Sequence, residues 1–86
     1  MLREEFIDKH SDLFWYTPDD QKHSISDALL VERILCDGTL DDYRELMSVL
    51  GGKRVADVFF AAKGRQRSNY PPALYHFFSL LLKDYA

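Results

Sequence analysis

Apolar residues recur at helical spacing in successive stretches of this chain, and nowhere do they alternate with period two over a useful length. The pattern predicts helices and no sheet. A short first helix is expected from Leu2 to about His10, anchored by Phe6, with Ser11 capping or breaking the chain after it. Leu13, Phe14, Trp15 and Tyr16 follow as four large apolar residues in a row. That run is too long for one amphipathic face, so part of it is expected to seal the end of a bundle. Thr17-Pro18-Asp19-Asp20 is a helix-start signal, with a capping hydroxyl, Pro at the first helical position and acids behind it. No apolar periodicity continues from it, so one turn at most is expected.

The second helix is expected from Asp27 to Asp37 after Ser26, with Leu30, Ile34, Val31 and Leu35 as its core face. Gly38 reads as its left-handed stop. Thr39 then caps a third helix over Leu40–Leu50, with Asp41 and Asp42 in its first turn favoured by the helix dipole. Leu40, Tyr43, Met47 and Leu50 are its expected inner side. Gly51-Gly52 ends it. The fourth helix is expected over Lys53–Lys63, with Val55, Val58, Phe59 and Ala62 inward and Gly64 as its stop. Arg65–Asn69 reads as a polar linker. Pro71-Pro72 opens a last helix with Leu74, Phe77, Phe78, Leu81 and Leu82 at helical spacing. The expectation is an all-α fold, a single compact bundle of four to five short helices over residues 1–86.

Eighty-six residues suit one domain that buries about 60–65% of its unfolded surface. The 47% hydrophobic content, with six Phe, five Tyr and one Trp, is generous for so small a core. Part of it is therefore expected to face a partner. Adjacent aromatics such as Phe14-Trp15, Phe59-Phe60 and Phe77-Phe78 diverge by about 100° on a helix, so one of each pair is the natural candidate. Cys36 is the sole cysteine, which excludes an internal disulfide or a cysteine-based metal site and fits a reducing cytosol. The charged N-terminus lacks a signal-peptide run. Apolar stretches such as Leu80–Leu82 fall far short of the roughly 20 residues that cross a bilayer. A cytoplasmic protein with no membrane contact is expected.

The net charge of −3 is unevenly spread: residues 1–50 carry twelve acids against five bases, and residues 51–86 six bases against two acids. An acidic and a basic side could result, or ordinary mixing over the surface. Lys53, Arg54, Lys63, Arg65 and Arg67 form the basic region, with Tyr70 beside it. They are the candidate contacts for nucleic acid. A helix C-terminus favours Lys and Arg through its dipole in any case, and a solvated linker is the simpler account. The helix–Gly–Gly–helix of residues 40–63 has the outline of a helix-turn-helix. Its second helix, however, is too apolar to read bases and suits burial better.

No active site emerges. His10, His23 and His76 sit in separate elements without a second ligand at i+3 or i+4. Ser24, Ser26 and Asp27 beside His23 resemble a triad only in composition and serve better as caps. No Gly-x-Ser-x-Gly elbow or phosphate-binding glycine loop is present. Cys36 has Asp37 beside it, the wrong charge for an activated thiolate. Arg33 is expected to tie its helix end to neighbouring carbonyls. The chain is expected not to be an enzyme and to hold no cofactor and no metal.

Leu13-Phe14-Trp15, Glu32-Arg33-Ile34-Leu35 with Asp37-Gly38-Thr39-Leu40-Asp41-Asp42, the Gly51-Gly52 stop, Arg65-Gln66-Arg67-Ser68 and the helix around Phe77-Phe78 carry a resemblance. In this order they resemble a family of small bacterial helical domains often encoded beside nucleotidyltransferase toxins of the abortive-infection type. The likeness spans about residues 13–82. That family often has Asp after Phe-Trp, where this chain has Tyr16, and its third long helix is usually more charged than Val55–Ala62. The resemblance implies an antitoxin-like protein partner and supplies no catalytic residues. The leading expectation is a protein-interaction module with Trp15, Phe60 and Tyr75 as apolar contacts and Arg65 and Arg67 as a charged rim. The alternative is a small nucleic-acid-binding or autoregulatory protein using the basic region.

Overall fold

The chain threads α1 (Arg3–Lys9), α2 (Asp27–Asp37), α3 (Leu40–Leu50), α4 (Gly52–Phe60), a five-residue α5 (Gly64–Ser68) and α6 (Pro72–Leu82). Three 3₁₀ turns join or extend them, at Ser11–Phe14, Asp19–Ser24 and Lys83–Tyr85. These elements come from a computed structural model that describes residues 1–86, with 78% of them helical and no strand. The all-α class stands. Four to five helices was a loose count: five have seven residues or more, and α5 and the 3₁₀ turns add to them.

Helices α2 and α3 begin where the caps put them. Ser26 Oγ accepts from the Leu29 N–H at 3.1 Å. Thr39 and Asp42 cap each other: Thr39 Oγ1 accepts from the Asp42 N–H, and Asp42 Oδ2 accepts from the Thr39 N–H at 2.9 Å. That backbone bond, with His10 and Lys9 nearby, holds the Asp42 carboxyl below its usual range. Pro72 sits at the first helical position of α6.

Gly38 corrects one expectation. Its backbone is extended, φ −87° and ψ 178°, not left-handed. Glycine is needed there for room, because a Cβ would lie 2.6 Å from the Ile34 carbonyl oxygen and 3.1 Å from Asp42 Cβ. The residues with positive φ are Gly51, +88°, between α3 and α4, and Gly64, +59°, at the start of α5. At Thr17–Asp20, Thr17 makes no capping bond and the chain forms a six-residue 3₁₀ turn, longer than expected. The expected linker after Lys63 is α5, with Ser68 Oγ donating back to the Gly64 and Arg65 carbonyls.

Helix α2 lies at the centre, against α3, α4 and the first 3₁₀ turn. Leu30, Val31, Ile34 and Leu35 are all buried, as their spacing predicts. Phe6, Phe14, Val55 and Phe59 close around them. On α3 Leu46 is fully buried, and Tyr43, Met47 and Leu50 pack half-buried against the core as expected, while Leu40 is exposed. Leu40 and Leu46 are roughly 120° apart around the helix, so the inner side extends to Leu46 and leaves out Leu40. Ala56 takes a core place on α4, while Val58 and Ala62 are half-buried. On α6 only Phe78 and Leu82 are buried, and Phe77 and Leu81 face outward. Because α2 packs on α4, the acidic and basic halves of the chain interleave. Asp27 shows this, taking Arg3 from α1 and Arg54 from α4, each at 3.0 Å.

Candidate interaction surfaces

Residues 11–17 form a tight turn in which successive side chains point in different directions. Phe14 goes inward and is fully buried, while Trp15 is 78% exposed and Tyr16 is exposed beside it. The Leu13 N–H donates to the His10 carbonyl, and the Thr17 N–H to the Phe14 carbonyl, both at 2.9 Å. Phe14 thus pins the turn to the core, and the indole stands on a fixed base. Tyr16 meets it edge-on, with ring centroids 5.5 Å apart and planes at 89°.

A second aromatic group lies around Phe59. Tyr75 stacks on it at 4.6 Å, Tyr70 meets it edge-on at 5.3 Å, and Phe60 edge-on at 5.1 Å. The Arg67 guanidinium carbon lies 3.4 Å from the centroid of the Tyr75 ring. Tyr75 is therefore held between Phe59 and Arg67 inside the molecule. Of the five expected partner contacts, Trp15 and Arg65 are open to solvent, Phe60 is a little over one third exposed, and Tyr75 and Arg67 are engaged with each other.

The basic region divides in the same way. Lys53 pairs with Asp57 one turn on, and Arg54 with Asp27. With Arg67 stacked on Tyr75, Lys63 and Arg65 are the two without a salt bridge or a stacking ring. These five cations do not form one free surface.

Sequence reasoning passed over a polar network at the C-terminal half of α2. Glu32 is 4% exposed in an otherwise apolar stretch. Its carboxylate accepts from Arg33 Nε at 3.1 Å and from Asn69 Nδ2 at 2.8 Å. Arg33 also donates to Asp37 at 2.6 Å, so it bonds carboxylates and not the carbonyls expected of it. Burial opposes the Arg33 charge, and Asp37 and Glu32 outweigh that, raising its pKa. Burial pushes the Cys36 thiol up, against the pull of Arg33, so the thiolate is disfavoured. Tyr70, buried beside this network, is also raised by burial. The legible signal was Glu at a core-facing position of α2, which demands partners. Asn69, 37 residues later, left no signal.

A groove of 510 Å³, open to solvent, runs between the start of α2 and the α4–α5 junction, lined by Ser26, Asp27, Arg54, Asp57, Ala61 and Gln66 among others. Of the expected contacts it includes Arg54 alone, and that side chain is committed to Asp27. His10 faces Asp42 at 3.6 Å, His23 meets Asp8 at 2.7 Å, and His76 lies on the exposed side of α6. No group of three or more His, Cys, Asp or Glu side chains is disposed to hold a metal. No helix is long and apolar enough to cross a membrane. Comparison of the chain with protein-family models, curated proteins and solved structures finds no match.

Proposed function

We propose that this chain is a non-enzymatic protein-interaction domain that binds its partner through the Trp15–Tyr16 turn. The observation that carries the reading is an indole 78% exposed on a turn anchored by a buried Phe14. A large rigid aromatic left in water loses little conformational freedom on docking and gains its full apolar contact. Phe60 and Arg65 supply further exposed apolar and charged surface. The specific form suggested by the family resemblance alone is an antitoxin-like partner of a nucleotidyltransferase toxin, acting by occlusion in the cytoplasm. The nucleic-acid alternative is weakened by the internal engagement of Lys53, Arg54 and Arg67.

The test is a pull-down of the tagged protein from its source lysate, with and without nuclease, using the wild type and Trp15→Ala. The reading expects one protein retained after nuclease and lost with Trp15→Ala, whose thermal melt stays within about 0.5 kcal/mol of wild type. Material that vanishes with nuclease, or that Trp15→Ala retains equally, refutes it.

A further inference from the structure

The charges around the Trp15 indole select the kind of segment that can dock on it. The first 3₁₀ turn, Ser11–Phe14, runs straight into Trp15, whose backbone stays helical at φ −59° and ψ −27°. Side chains three residues apart eclipse on such a turn, so Asp12 stands on the same side as the indole. Both are exposed. Beyond Thr17 and Pro18, the second 3₁₀ turn opens with Asp19 and Asp20. Four residues of extended chain span about 14 Å at most, so Asp19 stays close to Trp15.

The cations on this side are already committed. Lys22 is the only Lys or Arg between residues 10 and 32, and it pairs with Asp19 at 2.9 Å. Arg33, whose charge reaches Tyr16, is held by Glu32 at 3.1 Å and by Asp37 at 2.6 Å. Asp12 and Asp20 are exposed and belong to no ion pair. The Trp15 and Tyr16 planes meet at 89° and make a two-walled corner. Ring faces carry the negative end of the aromatic quadrupole and attract a cation. The chain makes this contact once within itself, where Arg67 lies on Tyr75. A neutral or acidic segment docked here would cover Asp12 and Asp20 with nothing to pair them. We propose that the segment received by the Trp15–Tyr16 turn is basic, laying an Arg side chain in the ring corner with Asp12 and Asp20 as counter-charges. Arg suits the corner better than Lys, because its flat guanidinium stacks on rings and is weakly hydrated. The proposal rests on the reading of this turn as the docking surface, and adds the charge of what docks.

Trp15 is the only Trp in the chain, so its fluorescence reports on this turn alone. The full chain is titrated to about 1 mM, which reaches weak complexes, with hexa-arginine, hexa-glutamate or an uncharged Gly-Ser hexapeptide. Hexa-arginine alone should give a saturable change. Asp12→Asn with Asp20→Asn should weaken it about fivefold, with the helical circular dichroism unchanged. Asp57→Asn with Asp84→Asn removes the same charge from α4 and the last 3₁₀ turn, and should change the affinity less than about twofold. If the Asp12, Asp20 variant loses helix, salt serves instead. Between about 0.01 M and about 0.1 M the Debye length falls from about 30 Å to about 10 Å, and the wild-type affinity should fall with it. A Trp15 signal that hexa-arginine leaves unmoved, an equal response to hexa-glutamate, or equal weakening by the two Asp pairs would each overturn the proposal. So would a lysate partner that is lost with Trp15→Ala but kept in full by Asp12→Asn with Asp20→Asn, an outcome that leaves the docking surface itself standing.

Discussion

Helices α2 and α6 have the same length, eleven residues each, and α6 is the more apolar of the two. Yet α2 buries Leu30, Val31, Glu32, Ile34 and Leu35, whereas α6 buries only Phe78 and Leu82. The difference is one of position. Neighbours surround α2, and its buried carboxylate finds Arg33 and Asn69. Helix α6 lies at the edge, against α4 and the last 3₁₀ turn, with its far side in water. A helix that is apolar nearly all round calls for cover on every side. In α2 the fold supplies that cover. In α6 the fold supplies half of it, and Phe77, Leu80 and Leu81 are left in water.

The comparison breaks first at the core. Leu30→Ala in α2 should destabilise the chain by about 2–5 kcal/mol, enough to unfold much of a small domain, as read by urea denaturation. A loss under 1 kcal/mol would show that α2 is not central. Glu32→Ala comes next, at about 2 kcal/mol, because it strands Asn69 and part of the Arg33 charge near the core. Glu32→Gln should recover part of that loss by keeping the Asn69 bond, and equal losses for both would deny the network its role.

Gly38→Ala, at the end of α2, should cost about 1–2 kcal/mol in chemical denaturation because of the Ile34 carbonyl. Gly38→Asn should do no better, although Asn is the usual substitute at a left-handed stop. A well-tolerated Asn would mean that the backbone there is left-handed after all.

The caps sharpen the contrast by pH. Because the folded Asp42 pKa lies below its unfolded value near 3.9, its stabilisation is present above that pH and is lost as pH falls through the folded pKa. Acid titration of the melting temperature should therefore show a drop below about pH 4 that is smaller in Asp42→Asn. Helix α6, opened by Pro71-Pro72, has no side-chain cap to lose. The smallest effect belongs to Leu80→Ser, within about 0.5 kcal/mol of wild type in dilute thermal melts. A loss near that of Leu30→Ala would place Leu80 in the core and end the comparison.

The helix starts at Ser26, Thr39 and Pro72, and the core face of α2, were legible because they depend on groups within three or four residues of one another. The exposure of Trp15 was legible as a candidate, since four consecutive apolar side chains cannot all turn inward. The choice between Leu40 and Leu46 on α3 was not, although Tyr43, Met47 and Leu50 pack on the core as expected. Leu40 and Leu46 are both apolar, and only the placement of α1, α2 and α4 around the helix selects Leu46. Tyr75 was equally unreadable as an inward residue, because the Phe59 ring and the Arg67 guanidinium that hold it come from two other elements.

By itself, then, the sequence determined the all-α class, the ends of α2 and α3, and which residues are apolar enough to be buried or bound. Backbone hydrogen bonding, capping and helical period act over a few residues and are written in local order. The tertiary structure decided the rest: which side of α6 stays wet, that Glu32 would meet Asn69, and that Gly38 is needed for space and not for its φ. Those outcomes depend on distances between atoms far apart in the chain. They are settled only when the helices compete to bury more apolar surface than a domain of 86 residues can enclose.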